Sequence, residues 1–169
     1  MSQALGVTKS GALPEQMTAK ILAQVLSGLQ FAHSKFIYHR DMKPENIIYD
    51  PISGQVKIID FGFAVHSKEK LRIFCGTPSY MSPEIVSKRD YLGNAADIWA
   101  TGVILFVLLT GFVPFKSNNE KELYRKIQKG TYSYNPTSSN PDDKPREQSK
   151  AKQISPEAKE LIKWMLTVD

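Results

Sequence analysis

Leu22, Val25, Leu26, Leu29 and Ala32 recur every three or four positions, the spacing that lines one face of an α-helix. Pro14 suits a first helical turn and Glu15 suits its positive end, so the pattern predicts a buried helix from this point to about His33. The period then changes. Ile47-Ile48-Tyr49 and Val56-Lys57-Ile58-Ile59 are short β-rich runs, and Asp50-Pro51-Ile52-Ser53-Gly54 between them supplies turn residues, which predicts a small hairpin. Residues 98–113 are apolar at nearly every position. Asn94 with Asp97 three residues on reads as a capped helix start, and the helix it opens has no polar face through Leu109, so it is expected in the middle of the core. Residues 120–129 read as a third helix. A last one opens at Ser155-Pro156-Glu157, with Ala158, Leu161, Ile162, Met165 and Leu166 on one face. Residues 131–153 hold many Ser, Asn, Asp and Lys and little that is apolar, and are expected to be a flexible surface insertion, with a basic docking loop as the alternative.

Composition narrows the class. A chain of 169 residues with 41% hydrophobic and 23% charged residues has the make-up of one globular domain, not of a disordered segment. Its 22 basic and 17 acidic side chains leave a net charge of +5 without a run of five like charges, so the surface is mildly basic and no nucleic-acid partner is expected. Thr101, Gly102, Thr110 and Gly111 interrupt the apolar stretch and Asp97 and Pro114 bound it, which leaves it short of the roughly 20 residues a membrane span needs. No membrane partner is expected. One cysteine, Cys75, has no partner for an internal disulfide, and no charged-then-apolar leader opens the chain. A reducing compartment, cytoplasm or nucleus, is expected over secretion.

The chemistry concentrates in Tyr38-His39-Arg40-Asp41-Met42-Lys43-Pro44-Glu45-Asn46 and in Asp60-Phe61-Gly62, whose aspartate follows Asp41 by nineteen positions. The two motifs at this spacing resemble the catalytic centre of a protein kinase. Phosphoryl transfer passes through a loose transition state, so the enzyme chiefly positions two oxygens and neutralises charge. The resemblance implies Asp41 as the base toward the substrate hydroxyl and Lys43 as the positive charge beside the transferred phosphate. Asn46 and Asp60 carry the oxygen ligands that a hard cation such as Mg²⁺ takes together with the phosphates of ATP. Phe61 is expected to set the orientation of Asp60, and Gly62 to permit unusual backbone there.

Lys43-Pro44-Glu45 and Gly76-Thr77-Pro78-Ser79-Tyr80 resemble the serine/threonine branch of that family, in which the residue at Thr77 bridges the catalytic Asp and Lys. Protein substrates phosphorylated on Ser or Thr are implied. Glu45 resembles the position that meets a basic substrate residue in basophilic kinases, and a solvated turn is its other reading. Ser82-Pro83-Glu84 stands where the family has Ala-Pro-Glu. In relatives Glu84 pairs with an arginine that follows the segment resembling residues 165–169, so the C-terminal end reads as cut short. Asp97, Trp99 and Gly102 resemble the family's central helix, where the aspartate holds the backbone of the catalytic loop. Ile73 occupies the place of a phosphorylatable threonine and leaves Arg40 without a phosphate to clasp, so activation by phosphorylation there is not expected. Residues 71–84 resemble the calcium/calmodulin-dependent kinase group, which would add calmodulin or a regulatory subunit to a longer form.

No Gly-x-Gly-x-x-Gly, strand lysine or paired helix glutamate is present. The fold class expected is therefore mainly α with a small β-hairpin, a kinase C-terminal lobe without its N-terminal lobe. It covers residues 11–169 behind a tail at 1–10. A serine/threonine kinase present as its catalytic-lobe fragment is the leading reading, and a non-catalytic single-lobe binding module is the alternative.

Overall fold

The computed structural model describes residues 3–5, 12–134 and 154–168. Most of the predicted 1–10 tail and of the predicted 131–153 insertion lies outside these. The helix predicted from the first apolar stripe is α1 (Glu15–Ser34), with Pro14 as its N-cap residue and Thr18, Ile21, Leu22, Val25 and Leu29 buried. Helix α3 (Gly93–Thr110) buries nearly every residue from Ala96 on. It is long and apolar enough to cross a membrane by length and composition, but 78% of it is buried inside the protein, which makes it the central core helix. α1 lies against one side of it and α5 (Pro156–Met165) against another. α4 (Glu120–Lys129) packs on α2 (Pro83–Val86). Asn119 caps α4 by accepting from the Glu122 N–H at 3.2 Å, and Ser155 caps α5 by accepting from the Ala158 N–H at 3.1 Å, as the capping rule requires.

The predicted start of α3 needs correction. The helix opens at Gly93 with Leu92 as N-cap and no side-chain cap. Asn94 is already inside the first turn and accepts from the Ala95 N–H, while the Asp97 carboxylate is taken by the backbone of His39 and Arg40. Asp97 is the fifth residue of the helix, past its first turn, and an aspartate engaged by another part of the chain is not free to cap.

The hairpin forms as predicted, β3 (Ile47–Tyr49) against β4 (Val56–Ile58), with Ile47 opposite Ile58 and Tyr49 opposite Val56. It is larger than predicted, because β1 (Gln3–Ala4) pairs on the outer edge of β3. The Leu5 N–H then donates to the Ile47 carbonyl at 2.7 Å, and Leu5 is buried. A second sheet, which the pattern does not announce, joins β2 (Ile37–Tyr38) to β5 (Val65–His66). Segment 39–46 runs from a strand of one sheet to a strand of the other, so both of its ends are fixed.

Candidate active site

The segment between β2 and β3 is irregular, and its polar groups are satisfied one by one. Asp97 sits at 1% exposure and does most of this. Its Oδ2 accepts from the His39 N–H at 2.9 Å and its Oδ1 from the Arg40 N–H at 2.8 Å, while His33 Nε2 lies 2.8 Å from Oδ2. A buried carboxylate with three donors is fully engaged, and it ties α1, the loop and α3 together. This is the role the resemblance implied for Asp97. His33 was not anticipated, although it falls on the buried stripe of α1 one turn after Leu29, where a polar residue is a signal in itself.

His39 is 1% exposed. Its Nε2 donates to the Ile59 carbonyl at 3.0 Å and its Nδ1 accepts from the Asp41 N–H at 3.3 Å, so the ring links the Asp41 backbone to the strand leading into Asp60. Arg40 adopts left-handed backbone, φ 66°, and its Nε donates to the Phe63 carbonyl at 2.6 Å. This loop and the segment around Asp60 are thereby held to one another on both sides of Asp60, at Ile59 and at Phe63.

Asp41 lies between these anchors, 5% exposed. Its Oδ1 accepts from the Thr77 hydroxyl at 2.8 Å, and its Oδ2 accepts from Lys43 Nζ at 2.6 Å. Lys43 Nζ also lies 3.2 Å from the Thr77 hydroxyl oxygen, so Thr77 bridges Asp41 and Lys43. Asn46 donates its Nδ2 to the Asp41 carbonyl at 2.8 Å, which turns its amide and leaves Oδ1 as the atom that could hold a metal. Gly76, before Thr77, has φ 113°, and a Cβ there would stand 2.9 Å from the Arg40 carbonyl oxygen. Only glycine lets the two backbones approach this closely.

Asp60 reaches the site through the hairpin. The Ile59 N–H donates to the Asn46 carbonyl at 2.9 Å, so Asp60 is carried next to Asn46, and it is exposed. The unusual backbone expected at Gly62 belongs instead to Asp60, with φ 59° and ψ 71°. Gly62 is needed for a different reason. Its N–H donates to Asp60 Oδ1 at 3.2 Å, and a Cβ would crowd that oxygen at 3.0 Å. Phe61 stands edge-on to the His39 ring with centroids 4.9 Å apart, yet is 48% exposed, so it is half packed rather than enclosed. Glu45, on the turn Pro44–Asn46, is exposed. Burial pushes the Tyr80 phenol far up, and the charge of Glu45 adds to it. Glu84 is only half-buried and makes no ion pair among the described residues.

The donor set fits Mg²⁺ held with a polyphosphate. Among the described residues no cluster of three His, Cys, Asp or Glu side chains is assembled for a metal. One amide oxygen and one exposed carboxylate suit a hard cation that takes its remaining ligands from phosphate and water.

The model of the protein kinase domain matches residues 3–169, which extends the likeness upstream of residue 11 to the strand β1. The chain is 46% identical over 125 residues to CBL-interacting protein kinase 5 of Oryza sativa subsp. japonica, covering 71% of this chain and 27% of that protein. It is 43% identical over 127 residues to CBL-interacting serine/threonine-protein kinase 20 of Arabidopsis thaliana, covering 72% and 29%. It is 38% identical over 161 residues to the probable serine/threonine-protein kinase MARK-A of Dictyostelium discoideum, covering 94% and 14%. The chain thus spans under a third of the length of each of these relatives.

Proposed function

The chain belongs to the protein kinase family, and from that premise we propose that it is the catalytic lobe of a serine/threonine kinase, transferring the γ-phosphate of ATP to protein Ser and Thr hydroxyls. The observation that carries this is the closed set at Asp41: Thr77 on Oδ1, Lys43 on Oδ2 and Asn46 on the carbonyl. A scaffold needs none of these to converge. Asp41 orients and accepts the proton of the substrate hydroxyl, Lys43 holds positive charge beside it, and Thr77 keeps both in place. Mg²⁺, held through Asn46 and Asp60, would neutralise charge on the phosphates when bound. The exposed Glu45 carboxylate suits a substrate with a basic residue near the acceptor.

In this reading the adenine-binding lobe, which the 169 residues do not contain as a Gly-rich loop or strand lysine, completes the cleft. Residues 71–84 support a place near the calcium/calmodulin-dependent kinases. The plant relatives are named for CBL, so the regulatory partner we propose for a longer form is of that kind rather than calmodulin itself. The free Cys75 suits a reducing cytoplasm or nucleus.

The test takes the endogenous protein, captured with an antibody against residues 131–153, weighed intact and assayed on a Ser/Thr peptide with basic residues. Transfer by a product well above 19.0 kDa is expected. A 19.0 kDa product without transfer overturns the reading and leaves the binding module.

A further inference from the structure

The segment 71–77 leads into Thr77, so what fixes it also fixes the partner of Asp41 and Lys43. The family resemblance implies that a phosphorylated threonine, clasped by the arginine at the place of Arg40, fixes it in many members. Here the threonine's place is taken by Ile73, 59% exposed, and Arg40 Nη1 is buried without a hydrogen-bond partner among the described residues. The segment is nevertheless held. Leu71 and Tyr91 exchange both backbone hydrogen bonds, at 2.8 and 3.0 Å, as an isolated antiparallel bridge. Tyr91 is 3% exposed, and its hydroxyl donates to the Ile73 carbonyl at 3.0 Å. The same phenol lies beside the Arg40 guanidinium and the Cys75 thiol. Outside this core Arg72 meets Asp90 through two contacts, 3.0 Å from Nε to Oδ1 and 3.1 Å from Nη2 to Oδ2, but the arginine side chain is 82% exposed.

We propose that the Tyr91 hydroxyl is a built-in latch that fixes the segment before Thr77 without a phosphate. The inference rests on the kinase reading of the Asp41 site and supplies the regulation of that site. The hydroxyl of a buried tyrosine does the holding, because an exposed ion pair such as Arg72–Asp90 contributes little. Tyr91 reaches both halves of the problem: Ile73 lies four residues before Thr77, and Arg40 lies one before Asp41. Phosphate-independent ordering of the segment follows from these contacts.

The test compares the unphosphorylated full chain with Tyr91→Phe and Asp90→Asn, reading native-state chymotrypsin cleavage after Phe74 by mass together with the thermal midpoint. Phe74 is 44% exposed, and cleavage there tracks the opened population of the segment. Loss of one hydrogen bond predicts cleavage of Tyr91→Phe faster by about three- to tenfold. The midpoint should stay within about 4 °C, and Asp90→Asn should remain within about twofold of the parent. Three results overturn the proposal: Tyr91→Phe cleaved at the parent rate, Asp90→Asn opening the segment as much as Tyr91→Phe, or Tyr91→Phe losing structure throughout. None depends on catalysis, so a failure here leaves the kinase reading standing. Absence of phosphate transfer in the longer protein would instead strike that reading.

Discussion

The substitution Asp97→Asn keeps the volume of the side chain and removes one of its two acceptor oxygens, which makes it a measurement of what holds the catalytic loop. The carboxylate serves His39 N–H and His33 Nε2 with Oδ2, and Arg40 N–H with Oδ1. The oxygen of the introduced amide can replace Oδ2, but its NH₂ then faces the Arg40 N–H, donor against donor. An orphaned part-buried amide costs about 1–3 kcal/mol. The two surviving bonds lose their charge assistance, about 1 kcal/mol each. The sum is about 3–5 kcal/mol, a large fraction of the roughly 5–15 kcal/mol of a folded domain. Equilibrium urea unfolding followed by tryptophan emission reads it directly, because Trp99 is 3% exposed two residues along the same helix and Trp164 is 72% exposed. With a slope of about 2 kcal/mol per molar, the midpoint should fall by about 1.5–2.5 M at unchanged slope. A fall of less than about 0.5 M at unchanged slope would show that Asp97 does not carry the loop.

Three further outcomes are expected. In a form that transfers phosphate, Asp41→Asn should lower kcat by about 10²- to 10⁴-fold with nucleotide affinity nearly unchanged, read by steady-state kinetics and a binding titration; parallel loss of both would make Asp41 structural. Gly76→Ala places a Cβ against the Arg40 carbonyl oxygen at φ 113° and should destabilise the chain by about 2–4 kcal/mol in the same urea assay. Glu15 accepts from the Ser155 hydroxyl at 2.6 Å and the Ser155 N–H at 3.0 Å, and these bonds, the hydroxyl first, hold its carboxyl below the ordinary 4.5. A depressed carboxyl stabilises above its unfolded value and loses that effect as pH falls through its folded one. The stability gap between the parent and Glu15→Gln should therefore be present at about pH 7 and shrink as pH falls below the ordinary 4.5 and through the lowered folded value; a gap that is the same in acid and at neutrality would assign it to packing.

What could be read in advance divides along chain separation. Helices α1 and α5 were legible because each shows a stripe of apolar residues and a local end signal, Pro14 before Glu15 and Ser155 before Pro156. The proposed catalytic set was legible because Asp41, Lys43 and Asn46 lie within six residues, and few chemistries need those types together. Thr77 entered through its motif, and the structure places it on both Asp41 and Lys43. The misreading of Asn94 and Asp97 shows the limit. Their spacing is that of a capping pair, but a carboxylate goes to the donors that most need it, and the unpaired amides of His39 and Arg40 lie some sixty positions away in sequence.

Residues 3–5 were placed in a tail because two or three residues have no period to read; only the open edge of β3 makes them a strand. Glu15 and Ser155 are separated by 140 positions, and each looks complete as a local helix-end residue, so nothing in either neighbourhood announces their bond. Tyr91 is the same case with a functional consequence. Alone it is one buried aromatic among several, and its meaning appears when Ile73, Arg40 and Cys75 are seen around its hydroxyl. The departure at Ile73 was legible as the loss of a phosphate site. What takes over from the phosphate was not, because it is a contact between a loop and a residue eighteen positions on. Local chemistry names the candidate reacting groups in this chain, while the groups that hold them in register are chosen by the fold.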